Sequence, residues 1–94
     1  MIASYRDRRT ERFARGEMVN AFQGFAEQAG RRLAILHAAT SVDVLRAIRS
    51  NRLERLSGDR RGQYSIRINR QWRICFEWPH GTPGPSNVEI VDYH

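Results

Sequence analysis

Between residues 64 and 78 apolar and polar side chains alternate with a period of two, and this pattern limits the fold more than any other feature. Tyr64, Ile66 and Ile68 alternate with Ser65, Arg67 and Asn69; Trp72, Ile74, Phe76 and Trp78 alternate with Arg73, Cys75 and Glu77. Period two is the signature of a strand with one apolar face. Two such strands joined by Arg70-Gln71 predict a hairpin, and the faces predict its register. Ile68 pairs with Trp72, Ile66 with Ile74 and Tyr64 with Phe76, which sets Arg67 opposite Arg73 and Ser65 opposite Cys75. A slip by one residue would set arginine against isoleucine and bury charge. Like charges directly opposed on a sheet repel. Arg67 and Arg73 therefore share an anion such as a phosphate, or splay into water, or pair with Asp59, Glu77 or Asp92.

The rest of the chain supplies layers for this sheet. Residues 2–5 predict a short edge strand. Asp7 is an N-cap for a helix over 8–15 that buries Phe13 and stops at Gly16. From Ala21 to Ala39, Phe22, Phe25, Ala26, Ala29, Leu33 and Leu36 recur at steps of three and four, a helical stripe facing a core. Gly24 and Gly30 weaken that helix by roughly 1 kcal/mol each relative to alanine, so packing must hold it. His37 beside the stripe reads as structural. Thr40-Ser41 caps a short helical segment, Val42 to Ile48. His80 to Asn87 is a surface loop, and Val88 to Val91 a final strand whose faces the sequence leaves unassigned. The order predicts an α+β fold.

With 94 residues and 40% hydrophobic content, the chain fits one domain, residues 1–94, with a small core. The net charge is +6, and all sixteen cations are arginine. Guanidinium groups offer planar paired donors that suit phosphate, so a polyanion is the expected partner. The single cysteine, Cys75, allows no internal disulfide and reads as a small buried residue. No apolar run approaches the ~20 residues of a membrane span, and no leader precedes the charged start, which implies a cytoplasmic protein without membrane partners. His37, His80 and His94 lack metal-ligand spacing, so neither a metal nor another cofactor is expected.

The chemistry these residues permit is cleavage of RNA without metal. A base removes the 2′-hydroxyl proton, a cation stabilises the crowded phosphate, and an acid protonates the leaving oxygen. His94 suits proton transfer near neutral pH, Tyr93 suits stacking or proton transfer, and Arg67 and Arg73 suit the phosphate.

The run Leu56-Ser57-Gly58-Asp59-Arg60-Arg61-Gly62, followed by Tyr64 to Asn69, Trp72 to Phe76 and the terminal Asp92-Tyr93-His94, resembles HigB-type toxins of the RelE/ParE superfamily of toxin–antitoxin systems. The resemblance is dense from Leu53 to His94 and looser through the helices. It implies a compact RelE-like domain: a short N-terminal strand and two helices packed on one face of a curved antiparallel sheet of about four strands. It further implies a metal-independent endoribonuclease that cuts messenger RNA in the ribosomal 30S A site and leaves a 2′,3′-cyclic phosphate. The implied partner is a HigA-type helix-turn-helix antitoxin, through which the toxin meets operator DNA indirectly. By position, Arg73 would contact the scissile phosphate, and Asp92, Tyr93 and His94 would form the terminal active-site group; Arg67, from the hairpin register, and Arg60, beside Ser57 in sequence, are the further residues expected to bind RNA phosphates. One departure stands out. Ser57 occupies a position where the family often has lysine, and Arg55, Arg60 or Arg67 would have to supply the missing cation.

Two other functions fit the same resemblance. One is a ParE-like toxin that inhibits DNA gyrase by docking, against which the terminal Tyr93-His94 argues. The other is a weakly active toxin that serves mainly as antitoxin partner and co-repressor, which Ser57 favours.

Overall fold

In a computed structural model of the chain, residues 1–93 are described; His94, a predicted site residue, lies outside them. The elements run α1 (Arg8–Ala14), a 3₁₀ turn (Asn20–Phe25), α2 (Ala26–Ala38), α3 (Val42–Ala47), β1 (Glu54–Arg55), β2 (Gln63–Arg67), β3 (Trp72–Glu77) and β4 (Ser86–Asp92). The four strands form one antiparallel sheet in the order β1-β2-β3-β4, with helices against one face. This is the α+β architecture expected from the sequence.

The hairpin register is the one the alternation dictates. Tyr64 pairs with Phe76, Ser65 with Cys75, Ile66 with Ile74 and Arg67 with Arg73. Ile66, Ile74 and Phe76 are fully buried on the helix side, where they meet Phe22, Ala29, Leu33, Leu36 and Leu45. The final strand is longer than its apolar run because it also pairs through Ser86 and Asp92. An extra residue faces Cys75–Glu77, and Asn87 takes a positive φ of 51° there. This bulge allows Val88 and Ile90 to enter the core together, while Glu89 and Val91 turn to the opposite face. Sequence alternation alone could not assign these sides, because the bulge resets it.

Chain-end contacts close one sheet edge. Residues 3–6 run parallel beside β4: Ala3 N–H donates to the Pro85 carbonyl, and Arg6 N–H to that of Val88. The predicted first strand is thus a short extended segment with one ladder bridge, Tyr5 to Val88. Next to it, the buried Thr10 Oγ1 accepts the Ile90 N–H at 3.0 Å, so α1 covers a backbone donor of β4. Helix α1 begins as predicted, with Asp7 Oδ1 accepting the Thr10 N–H at 2.9 Å. It ends in a Schellman turn at Gly16, φ +93°, where Gly16 and Glu17 N–H groups reach the Phe13 and Arg12 carbonyls.

The predicted helix over Ala21–Ala39 is broken at Phe25. Its first turn is 3₁₀, which stacks side chains three apart, and Phe22 and Phe25 are three apart. Both rings then meet Trp72, with centroids at 5.9 and 4.7 Å, and Phe13 packs edge-on against Phe22 at 5.4 Å. Aromatic packing therefore overrides the continuous helical pattern at the place where Gly24 already weakens it.

A candidate nucleic-acid interface on the outer sheet face

The face away from the helices carries Glu54 from β1, Ser65 and Arg67 from β2, Arg73 and Cys75 from β3, and Glu89 and Val91 from β4. Arg73 is at its centre and is nearly buried, an arrangement that demands hydrogen-bond partners. Nε donates to Ser65 Oγ at 2.7 Å, and Nη2 donates to the Arg52 carbonyl at 2.6 Å. Nη1 faces the Glu54 carboxylate at 3.6 Å. Two edges of the guanidinium are thus fixed by neutral acceptors, and the remaining one looks onto a carboxylate that is more than half exposed.

The Arg52 carbonyl is available because Arg52 is left-handed, φ 45° and ψ 53°, at the end of a 3₁₀ turn over Arg49–Asn51. That conformation is unfavourable for a non-glycine residue and needs support. Asn51 supplies it. Fully buried, it donates to the Leu45 carbonyl at 3.0 Å and accepts from Arg32 Nη1 at 2.7 Å, which ties the turn to α2 and α3.

Arg67 and Arg73 are directly opposed, as the register predicts, but their guanidinium groups point in opposite directions. Arg73 reaches toward Ser65, whereas Arg67 Nε folds back to the Asn69 carbonyl at 3.1 Å in the hairpin turn. Ser65 Oγ and the carbonyls of Arg52 and Asn69 hold the two charges apart. Arg73 has Glu54 as an acidic neighbour, a residue the sequence reading did not name.

The other predicted residues flank this centre. Arg60 Nη1 bonds Glu89 Oε1 at 2.9 Å and Gln63 Oε1 at 3.0 Å, and Arg6 approaches the same carboxylate at 3.7 Å. The Glu89 hydrogen bond holds Arg60 even more firmly protonated than usual, opposed in part by burial and aided by the negative potential of neighbours that include Tyr93. Tyr93 continues past β4, its N–H donating to the Gln71 carbonyl at 2.9 Å. Asp92 pairs with Trp72 and accepts from Gln71 Nε2 at 2.8 Å. Cys75 is buried beneath the cluster. Burial pushes its thiol up to about 11, which agrees with an unreactive structural residue.

Of the three arginines available to replace the cation absent at Ser57, only Arg60 and Arg67 lie with the outer-face residues. Arg55 pairs with Tyr64 and lines a helix-side cleft of about 600 Å³ together with Trp78 and His80. Sequence reasoning overlooked Glu54 and the Arg52 carbonyl, because a two-residue strand has no readable period. Ser65 was legible in part: the register set it beside Arg73's face. Among the described residues no group of three His, Cys, Asp or Glu side chains forms a metal site, and no helix is long and apolar enough to cross a membrane.

A small antiparallel sheet with helices on one face and arginines on the other defines a RelE-like domain. Residues 3–94 match the family model described as the RelE-like toxin of the type II toxin–antitoxin system HigB, and the chain belongs to that family. It is also similar to Toxin HigB-1 of Vibrio cholerae, 45% identical over 51 residues. That alignment spans 54% of this chain and 54% of the relative, so about half the length of the curated relative is matched.

Proposed function

We propose that the chain is a ribosome-dependent endoribonuclease that cleaves messenger RNA in the A site and is neutralised by a HigA-type helix-turn-helix antitoxin. The observation that carries this reading is the oriented guanidinium of Arg73, bonded to Ser65 Oγ and the Arg52 carbonyl on the outer face of the sheet. An arginine with two edges already fixed meets an incoming phosphate with little loss of side-chain freedom, and such preorganised donors are what a phosphorane-like transition state requires.

In this reading Arg73 holds the scissile phosphate. Arg60 and Arg67 contact neighbouring phosphates and stand in for the cation absent at Ser57. Tyr93 and His94 protonate the leaving 5′-oxygen, and Asp92, anchored to Gln71, sets the direction of the chain end. Reliance on the ribosome has its own support. Arg49, Arg52, Arg55 and Arg61 are exposed. Exposed arginines suit the backbone of folded RNA.

The test is purified chain incubated with messenger RNA, with and without programmed ribosomes, and mapping of the new ends. Cuts phased to the reading frame, only with ribosomes and ending in a 2′,3′-cyclic phosphate, are expected. DNA damage in cells without phased cuts would instead establish the gyrase-inhibiting mode.

A further inference from the structure

The helix-side cleft of about 600 Å³ is large enough for a small ligand, and cleavage on the outer face leaves it unused. We infer that it binds one unpaired nucleotide of RNA, with the base on Tyr64 and the phosphate on Arg55. The inference rests on RNA as the partner but not on cleavage. Bond making and breaking stay on the outer face, and the cleft only holds.

Three observations converge on it. Arg55 and Tyr64 are directly opposed on β1 and β2, so their side chains share one face of the sheet, and both line the cleft. Tyr64 is half-buried, and its ring stacks on Phe76 with centroids 5.9 Å apart and planes 26° from parallel. A ring backed in this way is a fixed aromatic surface, on which a base can stack with little loss of side-chain freedom. Arg55 is exposed, and a guanidinium presents the planar donors that suit phosphate oxygens. A flat π surface beside planar cationic donors matches the two halves of a nucleotide.

The third observation is a preformed wall. Trp78 is buried, and its Nε1 donates to the Thr82 carbonyl at 3.1 Å. Thr82 N–H and Oγ1 both donate to the Pro79 carbonyl, at 3.1 and 2.7 Å. The turn over 79–82 is thereby tied to a core tryptophan, so this wall need not be ordered when a ligand enters. Asp43, a carboxylate that lines the cleft, is paired with Arg46, which lessens its repulsion of a phosphate. Strand order connects the cleft to the outer face. β1 is an edge strand, and its two residues divide between the sites, Glu54 beside Arg73 and Arg55 in the cleft. RNA that rounds this edge reaches both.

Trp78 reports on the cleft directly once Trp72, the other tryptophan, is replaced by phenylalanine. In this Trp72→Phe background, Trp78 emission is followed as a 2′-O-methyl RNA hexanucleotide is added, a probe without the 2′-hydroxyl that cutting requires. Anisotropy of a labelled copy measures total binding, and a melting curve checks the fold of each variant. Saturable quenching is expected. Arg55→Gln should weaken the quenched complex about tenfold and reduce the slope of log affinity against log salt by about 0.7, the mark of one lost phosphate contact on a single strand. Tyr64→Leu, which keeps apolar bulk, should weaken it about 5–150-fold and leave that slope unchanged. Binding with Trp78 emission unchanged, or equal affinity in both variants, would put the RNA on the outer face alone and overturn the inference. No binding up to about 1 mM overturns it too, as does a Trp78 response to a HigA-type antitoxin but none to RNA, which would make the cleft a protein interface. If cleavage fails while Trp78 still responds, the ribonuclease reading falls and the cleft assignment stands. Ultraviolet cross-linking of the native chain to programmed ribosomes, lost in Tyr64→Leu, then maps the held nucleotide to messenger or to ribosomal RNA.

Discussion

On the helix side of the sheet Ile66, Ile74, Phe76, Val88 and Ile90 are fully buried against Phe22, Leu36 and Leu45. On the outer side of the same strands Ser65 and Cys75 are just as buried, yet what covers them is Arg73, Arg60, Glu89 and Glu54. The first face is held by apolar burial, which is non-directional and tolerates some exchange of shape. The second is held by hydrogen bonds between ionised side chains and fixed acceptors, which are directional and costly to leave half-made. On the proposed function, stability and RNA chemistry lie on separate faces of one sheet. Substitutions on the two faces should consequently fail in different ways.

The largest effect is expected on the helix side. Phe22→Ala removes a fully buried ring that contacts Phe13, Phe25 and Trp72, at a cost of about 3–5 kcal/mol. Urea unfolding should show that loss, while cleavage per folded molecule stays near native. A similar fall in the rate of the folded fraction would mean that the faces are not separable.

Ser65→Ala acts on the other side. It strands Arg73 Nε without its 2.7 Å acceptor, which costs on the order of 1–3 kcal/mol in stability. The maximal cleavage rate should fall about tenfold, more than the change in melting temperature explains. An unchanged rate would show that the orientation of Arg73 is unimportant.

A smaller effect separates the buried thiol from the charges above it. The Cys75 thiol ionises near pH 9 when unfolded and is pushed up to about 11 in the fold. Between those values the unfolded chain holds fewer protons than the folded one, so stability falls as pH rises. Urea midpoints at pH 8 and pH 10 should differ in the native chain, and by less in Cys75→Ala. Equal pH dependence in both would place the thiol outside the protected layer.

How much of this was legible in the sequence differs by face. Alternation at Tyr64–Trp78 determines the hairpin register, because apolar burial leaves a single solution, and the Asp7 and Ser41 caps are local chemistry that short segments display. The outer face depends on details that sequence periodicity does not carry. Arg67 and Arg73 were readable as neighbours, but the direction of each guanidinium follows from a turn carbonyl at Asn69 and a left-handed residue at Arg52. Glu54 lies on a two-residue strand too short to show a period, and the bulge at Asn87 decides the faces of β4. The break at Phe25 likewise comes from tertiary packing of aromatic rings on Trp72 rather than from local propensity.

The most direct test of the central claim is single-turnover cleavage of messenger RNA on programmed ribosomes by the native chain and by Arg73→Ala. A group that contacts the scissile phosphate is worth about 10²–10³-fold in rate, and that loss should appear in protein that still melts cooperatively. A folded Arg73→Ala variant that cuts at the native rate would contradict the account, because the outer face would then carry its arginine for structure alone.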